Sequence, residues 1–422
     1  MILQGDMEQR LSNIDATDGS PRGARVLLVA PQPFFEVRGT PLNVLQMARA
    51  LGGAGYDVHL ATYGLGETIA VQGLTYHRAM RIPAIHAVPP GFSWRKVAMD
   101  VPLAGLAWRL LATSRFDVVH AIEEAAFFMA PIARARGVPL IYDLDSSISD
   151  QLRYSGAVRS RALLGIVRRA ERAVLARSAL AITVCDALTR TATRLHAGTR
   201  VVQIEDCPLD ELLRDPSAEE VAALRAEHDL GDAPVAVYTG NLEPYQGVDL
   251  LLDALPVLAE RCPAAHVLIV GGDPAHVQAA RAEVRRRGHD GRVTFAGRQP
   301  PERMAAYMAL GSALVSPRRS GENTPLKLYS YMHSGTPIVA TALPTHTQVL
   351  DADTAILCAP DPEALGAAIA DVLLHPSDYR EQARAARERV QRHYSFNAFR
   401  DKLLAAYRLV LDGTRESSAS SM

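Results

Sequence analysis

The chain has 422 residues, 48% of them hydrophobic and 22% charged, with a formal net charge of -1. That length exceeds what one hydrophobic core usually serves and predicts two domains. The near-neutral balance argues against a general nucleic-acid binder. All but three of the 45 basic residues are arginines, which sets Lys96, Lys327 and Lys402 apart.

Residues 1–22 are polar and lack an apolar core, which predicts a disordered leader and no signal peptide. No apolar run approaches the length of a membrane span. Cys185, Cys207, Cys262 and Cys358 are too scattered for a disulfide framework or a zinc site, which fits a reducing, cytoplasmic compartment.

From Arg25 the chain alternates strand and helix, the pattern of a parallel sheet covered on both faces. Arg25-Val-Leu-Leu-Val-Ala30 reads as a buried first strand. Pro31 to Arg38 is a loop, and Gly39-Thr40-Pro41 opens a helix over Leu42 to Gly52. Further strands are expected at Tyr56 to Thr62, Leu74 to Arg78, Asp117 to Ala121, Pro139 to Asp143 and Ala179 to Val184. His120 with Glu123 and Glu124, and the pair Asp143 and Asp145, stand at strand ends and are candidate site residues. A strand-capping pair is the competing reading of the two aspartates.

Two helical segments bear on membranes. Trp94 to Arg109 is amphipathic with a tryptophan at each end, and Arg153 to Arg177 carries arginines against the single acid Glu171. They suit an anionic leaflet; core helices with snorkelling arginines are the alternative.

The second half restarts the pattern after a junction near Glu205 to Pro216. Strands are expected at Pro234 to Gly240, His266 to Val270, Arg292 to Phe295, Ala313 to Val315, Pro337 to Thr341 and Ala355 to Leu357. After Ala313 to Val315 comes Ser316-Pro-Arg-Arg-Ser-Gly-Glu-Asn-Thr-Pro-Leu-Lys-Leu-Tyr-Ser-Tyr-Met332. It predicts a loop, then a helix starting near Thr324 with Pro325 in its first turn and a stop at Gly335. The open amides of such a first turn make an anion site, ringed by Arg318, Arg319 and Lys327, with the acid Glu322 beside it. The chain closes in a helix from Tyr394 to Val410 and a polar tail beyond Asp412.

That segment resembles the nucleotide-sugar signature of the retaining glycosyltransferases of family 4 type, which have the GT-B fold. Gly240-Asn-Leu-Glu-Pro-Tyr-Gln-Gly247, Val270-Gly-Gly272 and Val293-Thr-Phe-Ala-Gly297 resemble further marks of that family in the same order, across roughly residues 25 to 410. The resemblance implies two Rossmann-like doubly wound domains facing a cleft, with the last helix crossing back to the first. The expected boundaries are a leader to 22, an acceptor domain over 23–205, a donor domain over 206–392, the crossover helix over 393–412 and a flexible tail over 413–422.

The implied activity is transfer of a sugar from a nucleotide-diphosphate sugar to a glycan, lipid-linked or small-molecule acceptor, with retention and with neither metal nor cofactor. Glu322 matches the family's first acid, while Asp145 and His120 lie in the part of the first domain that contacts donor sugar or acceptor. Donor contacts are expected from Arg38, Gly39, Thr40, Gly240, Asn241, Gln246, Arg298, Arg318, Arg319, Asn323, Thr324, Pro325, Leu326, Lys327 and Ser330. Four of these depart from the family: Thr40 replaces the second glycine of its Gly-Gly turn, a mild variation, and three changes bear on charge. Asn241 and Gln246 replace the Arg and Lys that bind the diphosphate, and Ser330 replaces the second Glu. Two other classes stay open on these residues: an epimerase or phosphorylase on the same fold, and a nucleotide-binding protein without turnover.

Overall fold

The computed structural model describes residues 23–36, 39–88, 93–149, 152, 160–208 and 212–419, with side chains to 413. Two compact units account for the chain. One runs to Asp206 and takes the chain up again from Phe396, and the other is Cys207–Ser395.

The first unit is built on seven parallel strands: β1 (Arg25–Ala30), β2 (Asp57–Thr62), β3 (Leu74–Arg78), β4 (Val118–Ile122), β5 (Leu140–Leu144), β6 (Leu180–Thr183) and β7 (Val201–Gln203). Their order is β3-β2-β1-β4-β5-β6-β7, so the sheet reverses its direction of growth between β1 and β4. The second sheet holds β8 (Val235–Thr239), β9 (His266–Val270), β10 (Val293–Gly297), β11 (Ala313–Ser316), β12 (Ile338–Thr341) and β13 (Ile356–Cys358). Its order is β10-β9-β8-β11-β12-β13, with the reversal between β8 and β11. At such a reversal the two following loops part and leave room for a ligand beyond the strands' carboxyl ends.

The apolar runs are what a sheet covered on both faces requires. Every residue of β4, β5, β6, β8, β11 and β12 is buried. Sequence pattern placed these strands to within about a residue or two. It missed β7, because the three residues Val201-Val-Gln203 are too short to show a period.

In the first unit four helices flank the sheet edge that carries the candidate acids or the exposed apolar stripes: α1 (Gly39–Gly53), α2 (Trp94–Thr113), α3 (Ala125–Ala135) and α4 (Arg161–Leu175). Ser93 and Ser160 cap α2 and α4 by accepting from the amides of Lys96 and Leu163. In the second unit α5 (Lys327–Ser334) follows β11. It starts three residues later than the expected Thr324, since only from Lys327 does the backbone make a full helical turn. The last helix, α6 (Phe396–Ala419), packs on α1 within the first unit and runs past Asp412, where the polar tail predicted its end. No proline interrupts that tail, so the helix continues.

The Tyr407 hydroxyl of α6 bonds His120 Nδ1 on β4 at 2.8 Å, and both side chains are fully buried. Tyr407→Phe should therefore leave a buried ring nitrogen unpaired and cost about 1–3 kcal/mol. Urea unfolding followed by circular dichroism reads this directly, and an unchanged midpoint would show that the bond does not hold α6 in place.

Candidate active site

In the second unit the site grows from the loops that come after β8 and β11, on either side of the reversal. After β8 the chain turns at Gly240, with φ of 132°, then makes a short 3-10 turn over Pro244–Gln246 and turns again at Gly247. After β11 it passes through Pro317 and Arg318 to the Glu322–Leu326 loop and α5. The two loops touch where Gly247, with φ of 75°, lies so close to Pro317 that a Cβ there would sit 1.9 Å from its carbonyl oxygen. Gly271, after β9, abuts Gly240 in the same way, with a Cβ position 2.2 Å from the Gly240 carbonyl oxygen. These glycines let three loops close on one another.

Arg318 is buried at 8% exposure. Its guanidinium donates to the Asn323 carbonyl at 3.0 Å, to Thr345 Oγ1 at 2.9 Å and to Gln246 Oε1 at 3.4 Å. The Tyr245 ring covers it at 5.3 Å, and Thr341 Oγ1 fixes its backbone by donating to the Arg318 carbonyl. Lys327, half-buried at the start of α5, donates from Nζ to the Thr239 carbonyl at 3.1 Å and stands 3.9 Å above the Tyr238 ring. Burial pushes the pKa of Lys327 well below the usual lysine range, and the Arg318 charge pushes it further. Burial lowers that of Arg318 too. Among the described residues neither cation has a carboxylate partner.

The rest of the loop is fastened around this pair. Thr345 Oγ1 donates to the Asn323 carbonyl, and Gln348 Nε2 donates to the Glu322 carbonyl at 2.6 Å and toward Thr324 Oγ1 at 3.4 Å. The Leu328 and Tyr329 amides are taken up by the carbonyls of Pro325 and Leu326. The open end of the helix thus lies at Leu326 and Lys327, later in the chain than the expected Thr324. His346 lies fully buried beneath, with Nδ1 donating to the Thr341 carbonyl and Nε2 accepting from Ser316 Oγ. Burial takes its pKa down to about 3, so it adds no third charge.

The structure sorts the sequence candidates. Gly240, Asn241, Gln246, Arg318, Glu322, Asn323, Thr324, Pro325, Leu326 and Lys327 lie on these two loops and this helix end. Ser330 is buried farther along α5. Gln246 serves Arg318 as an acceptor instead of supplying a charge. Arg319 turns away to Asp249 and Asp253 at 3.0 and 2.8 Å. Arg298 is 75% exposed and paired with Asp273. Gly39 and Thr40 open α1 in the first unit, and Arg38 lies outside the described residues. Sequence reasoning missed Tyr238, Tyr245 and Thr345, which wrap the two cations; no period or charge pattern marks them.

In the first unit, the strand ends carry acids. Glu123, just past β4, adopts φ of 48°, and Lys96 Nζ stands 3.6 Å from it and 2.5 Å from Glu124. Asp145 follows β5 at 8% exposure and takes a hydrogen bond from Asn43 of α1. His120, expected to meet a substrate, has no exposed surface. Its Nδ1 is held by Tyr407 and its Nε2 stands 3.5 Å from buried Asp143. Its place in the middle of a strand buried on both faces makes it a support for Asp143 and α6. Behind Asp145, buried Glu171 of α4 accepts from Ser147 Oγ and the Ser149 amide at 3.0 and 3.2 Å, fastening the loop. Among the described residues no three His, Cys, Asp or Glu side chains converge to hold a metal ion.

Residues 38–205 match the glycosyl transferase 4-like domain, and residues 233–375 match the glycosyl transferases group 1. The chain is 25% identical over 394 residues to a phosphatidyl-myo-inositol mannosyltransferase of Mycolicibacterium smegmatis, covering 92% of this chain and 94% of that one. In fold it is similar to sucrose-phosphate synthase from Thermosynechococcus elongatus, with a TM-score of 0.76 at 21% identity over 92% of this chain and all of that one. It is also similar to Anabaena HepE in complex with UDP-glucose, with a TM-score of 0.67 at 16% identity over 91% and 99% of the two chains.

The contact at Gly247 yields a direct check. Gly247→Ala combines a strained φ with a backbone clash and should destabilise the second unit by about 2 kcal/mol or more. It should also displace Arg318, read as a change in tyrosine fluorescence near Tyr245. A melting temperature within a degree of wild type would refute the close packing of the two loops.

Proposed function

The chain belongs to the GT-B glycosyltransferases of family 4 type, and we propose that its second unit grips the donor diphosphate between Lys327 and Arg318. The observation that carries this reading is that buried Arg318 and half-buried Lys327 stand together with no carboxylate partner among the described residues. A buried charge is ordinarily paired, because desolvation costs several kcal/mol per ion. Two such charges side by side suit a dianion that arrives with the substrate. They also answer the loss of the family's usual Arg and Lys at Asn241 and Gln246: the same two charges come from the other loop.

In this reading the Leu326 and Lys327 amides add hydrogen bonds to the phosphates, and Glu322 holds hydroxyls of the donor sugar. Ser330 offers the ribose one hydroxyl where the family's carboxylate accepts from two. The bond between the anomeric carbon and the phosphate oxygen breaks, and the nucleoside diphosphate leaves with the electron pair. The acceptor oxygen adds on the same face and passes its proton to the departing phosphate oxygen. Lys327, Arg318 and the helix amides stabilise the charge growing on that phosphate, which is where fixed donors act most strongly. The step calls for neither metal nor cofactor. The acceptor is taken by the first unit at the carboxyl edge of β4 and β5. The mannosyltransferase relative, named for phosphatidyl-myo-inositol, supports a lipid-linked or small polyol acceptor.

A lipid acceptor brings in the first unit's surface. No described helix is long and apolar enough to cross a membrane. On α2, however, Trp94, Val97, Val101 and Trp108 form one exposed stripe, and on α4 Leu163 and Ile166 are exposed. Both helices pack on α3. Their exposed charges, Arg95, Arg109, Arg161, Arg168, Arg169 and Arg172, are all positive, while Asp100 is tied to Tyr63 and Glu171 is buried. Tryptophans with arginines suit the headgroup layer of an anionic leaflet, and the enzyme works as a peripheral protein on the cytoplasmic face.

Two experiments test these readings. Calorimetry with UDP, GDP, ADP and their sugar conjugates should find one binder, weakened about 10- to 100-fold by Lys327→Met. The same substitution should raise the melting temperature of the ligand-free protein, since it removes a partly desolvated charge that has no carboxylate partner among the described residues. A lowered melting temperature with unchanged binding would make Lys327 structural. Flotation with phosphatidylglycerol vesicles should retain wild type and lose the Trp94→Ala, Trp108→Ala double variant; equal retention on neutral vesicles would sink the leaflet assignment.

A further inference from the structure

A short helix, Pro344–Thr347, follows β12 and meets both the Arg318 side chain and the loop that carries Glu322. Its two central residues, Thr345 and His346, are fully buried. His346 fastens the helix to the sheet: Nδ1 donates to the Thr341 carbonyl at the end of β12 at 2.7 Å, and Nε2 accepts from Ser316 Oγ at the end of β11 at 2.9 Å. The ends of two paired strands thereby fix where the helix stands.

Thr345 serves the loop instead. Its Oγ1 accepts from Arg318 Nη1 at 2.9 Å and donates to the Asn323 carbonyl. A hydroxyl has one proton to give, so these two bonds set its direction. Arg318 Nη1 also reaches the same Asn323 carbonyl at 3.0 Å, which closes a triangle of guanidinium, hydroxyl and backbone. One residue earlier in the loop, the Glu322 carbonyl accepts from Gln348 Nε2 at 2.6 Å. Gly321, with φ of 125°, stands against the same point: a Cβ there would lie 3.3 Å from Arg318 Nη1 and 3.8 Å from Thr345 Oγ1. A residue without a side chain lets the loop pass this close.

We propose that Thr345 is a positioning residue of the donor site: one hydroxyl joins Arg318, which meets the diphosphate, to the loop carrying Glu322, which meets the sugar. This inference rests on the reading that Arg318 and Lys327 grip the donor diphosphate. Thr345, with no exposed surface, touches nothing of the donor and acts through the guanidinium. The remaining holds on that guanidinium are a long contact to Gln246 Oε1 at 3.4 Å and the Tyr245 ring at 5.3 Å. A guanidinium already held in place loses less freedom when the phosphates arrive. Valine keeps nearly the shape of threonine and turns a methyl group toward Arg318, whereas serine keeps the hydroxyl.

The test is calorimetry on the full-length protein with UDP, GDP, ADP, UDP-glucose, GDP-mannose and ADP-glucose. The tightest ligand of the wild type should bind Thr345→Val about tenfold more weakly, and Thr345→Ser within about twofold of wild type. In an Arg318→Lys background, adding Thr345→Val should weaken binding by less than about twofold more, because a residue that acts through Arg318 has nothing left to position. Where that background binds too weakly for calorimetry, the contrast of Thr345→Ser with Thr345→Val decides alone. Circular dichroism checks each fold, with Thr345→Ala standing in should Thr345→Val fold poorly.

Thr345→Val binding like wild type, Thr345→Ser binding as poorly as Thr345→Val, or a full tenfold further loss in the Arg318→Lys background overturns the proposal. Lys327→Met in the same series keeps the two readings apart. If that variant is weakened while Thr345→Val is not, only the role of Thr345 is lost; if the wild type binds no member of the panel, the donor reading is lost with it.

Discussion

Parallel pairing sets the terms for everything else in this protein. Strands that lie side by side in one direction need connections on both faces, and those helices bury the sheet completely. No charged group can be used on β4, β5, β8 or β11 themselves without the expense of desolvation. Polar chemistry is pushed to where the strands stop, and in each sheet the reversal of strand order opens one place along that edge. His120 shows the rule from within. Set on a strand, it is sealed in and paired with Tyr407, whereas Asp145, just past the end of β5, keeps a little surface.

The two edges are dressed in opposite charge. The second unit collects cations at the loops after β8 and β11, and the first collects carboxylates after β5 and β7. In both, burial first and like charges second shift the pKa values in the direction that resists ionisation. A fold selected only for stability would replace such pairs with apolar side chains. In the second unit that arrangement agrees with the dianionic donor proposed above.

Much of this was legible in sequence because the relevant signals are local. Apolar runs of four to six residues marked the buried strands, and glycines marked the turns. The resemblance around Glu322 pointed to the second unit's site from residue types and spacing alone. What was not legible depends on side chains meeting across the fold. Arg318 and Arg319 are adjacent and chemically alike, yet one faces Gln246 and Thr345 and the other faces Asp249 and Asp253. Neighbouring positions point in different directions, and only packing decides which direction is which. Likewise nothing in the run Leu140-Ile-Tyr-Asp-Leu144 announces that Asp143 will be buried beneath two more acids. The late start of α5 and the long run of α6 show the usual weakness of sequence at element ends.

The return of α6 to the first unit has a consequence for how the molecule is made. The first sheet is complete in the chain by Gln203, but the helix that packs on α1 and pairs with His120 begins only at Phe396. On the ribosome the amino-terminal half must wait, with that flank of α1 uncovered, while all of Cys207–Ser395 is synthesised. Domains ordinarily fold in order as they emerge. Here the second to emerge can finish first, and the first is closed by a helix that leaves the tunnel after it.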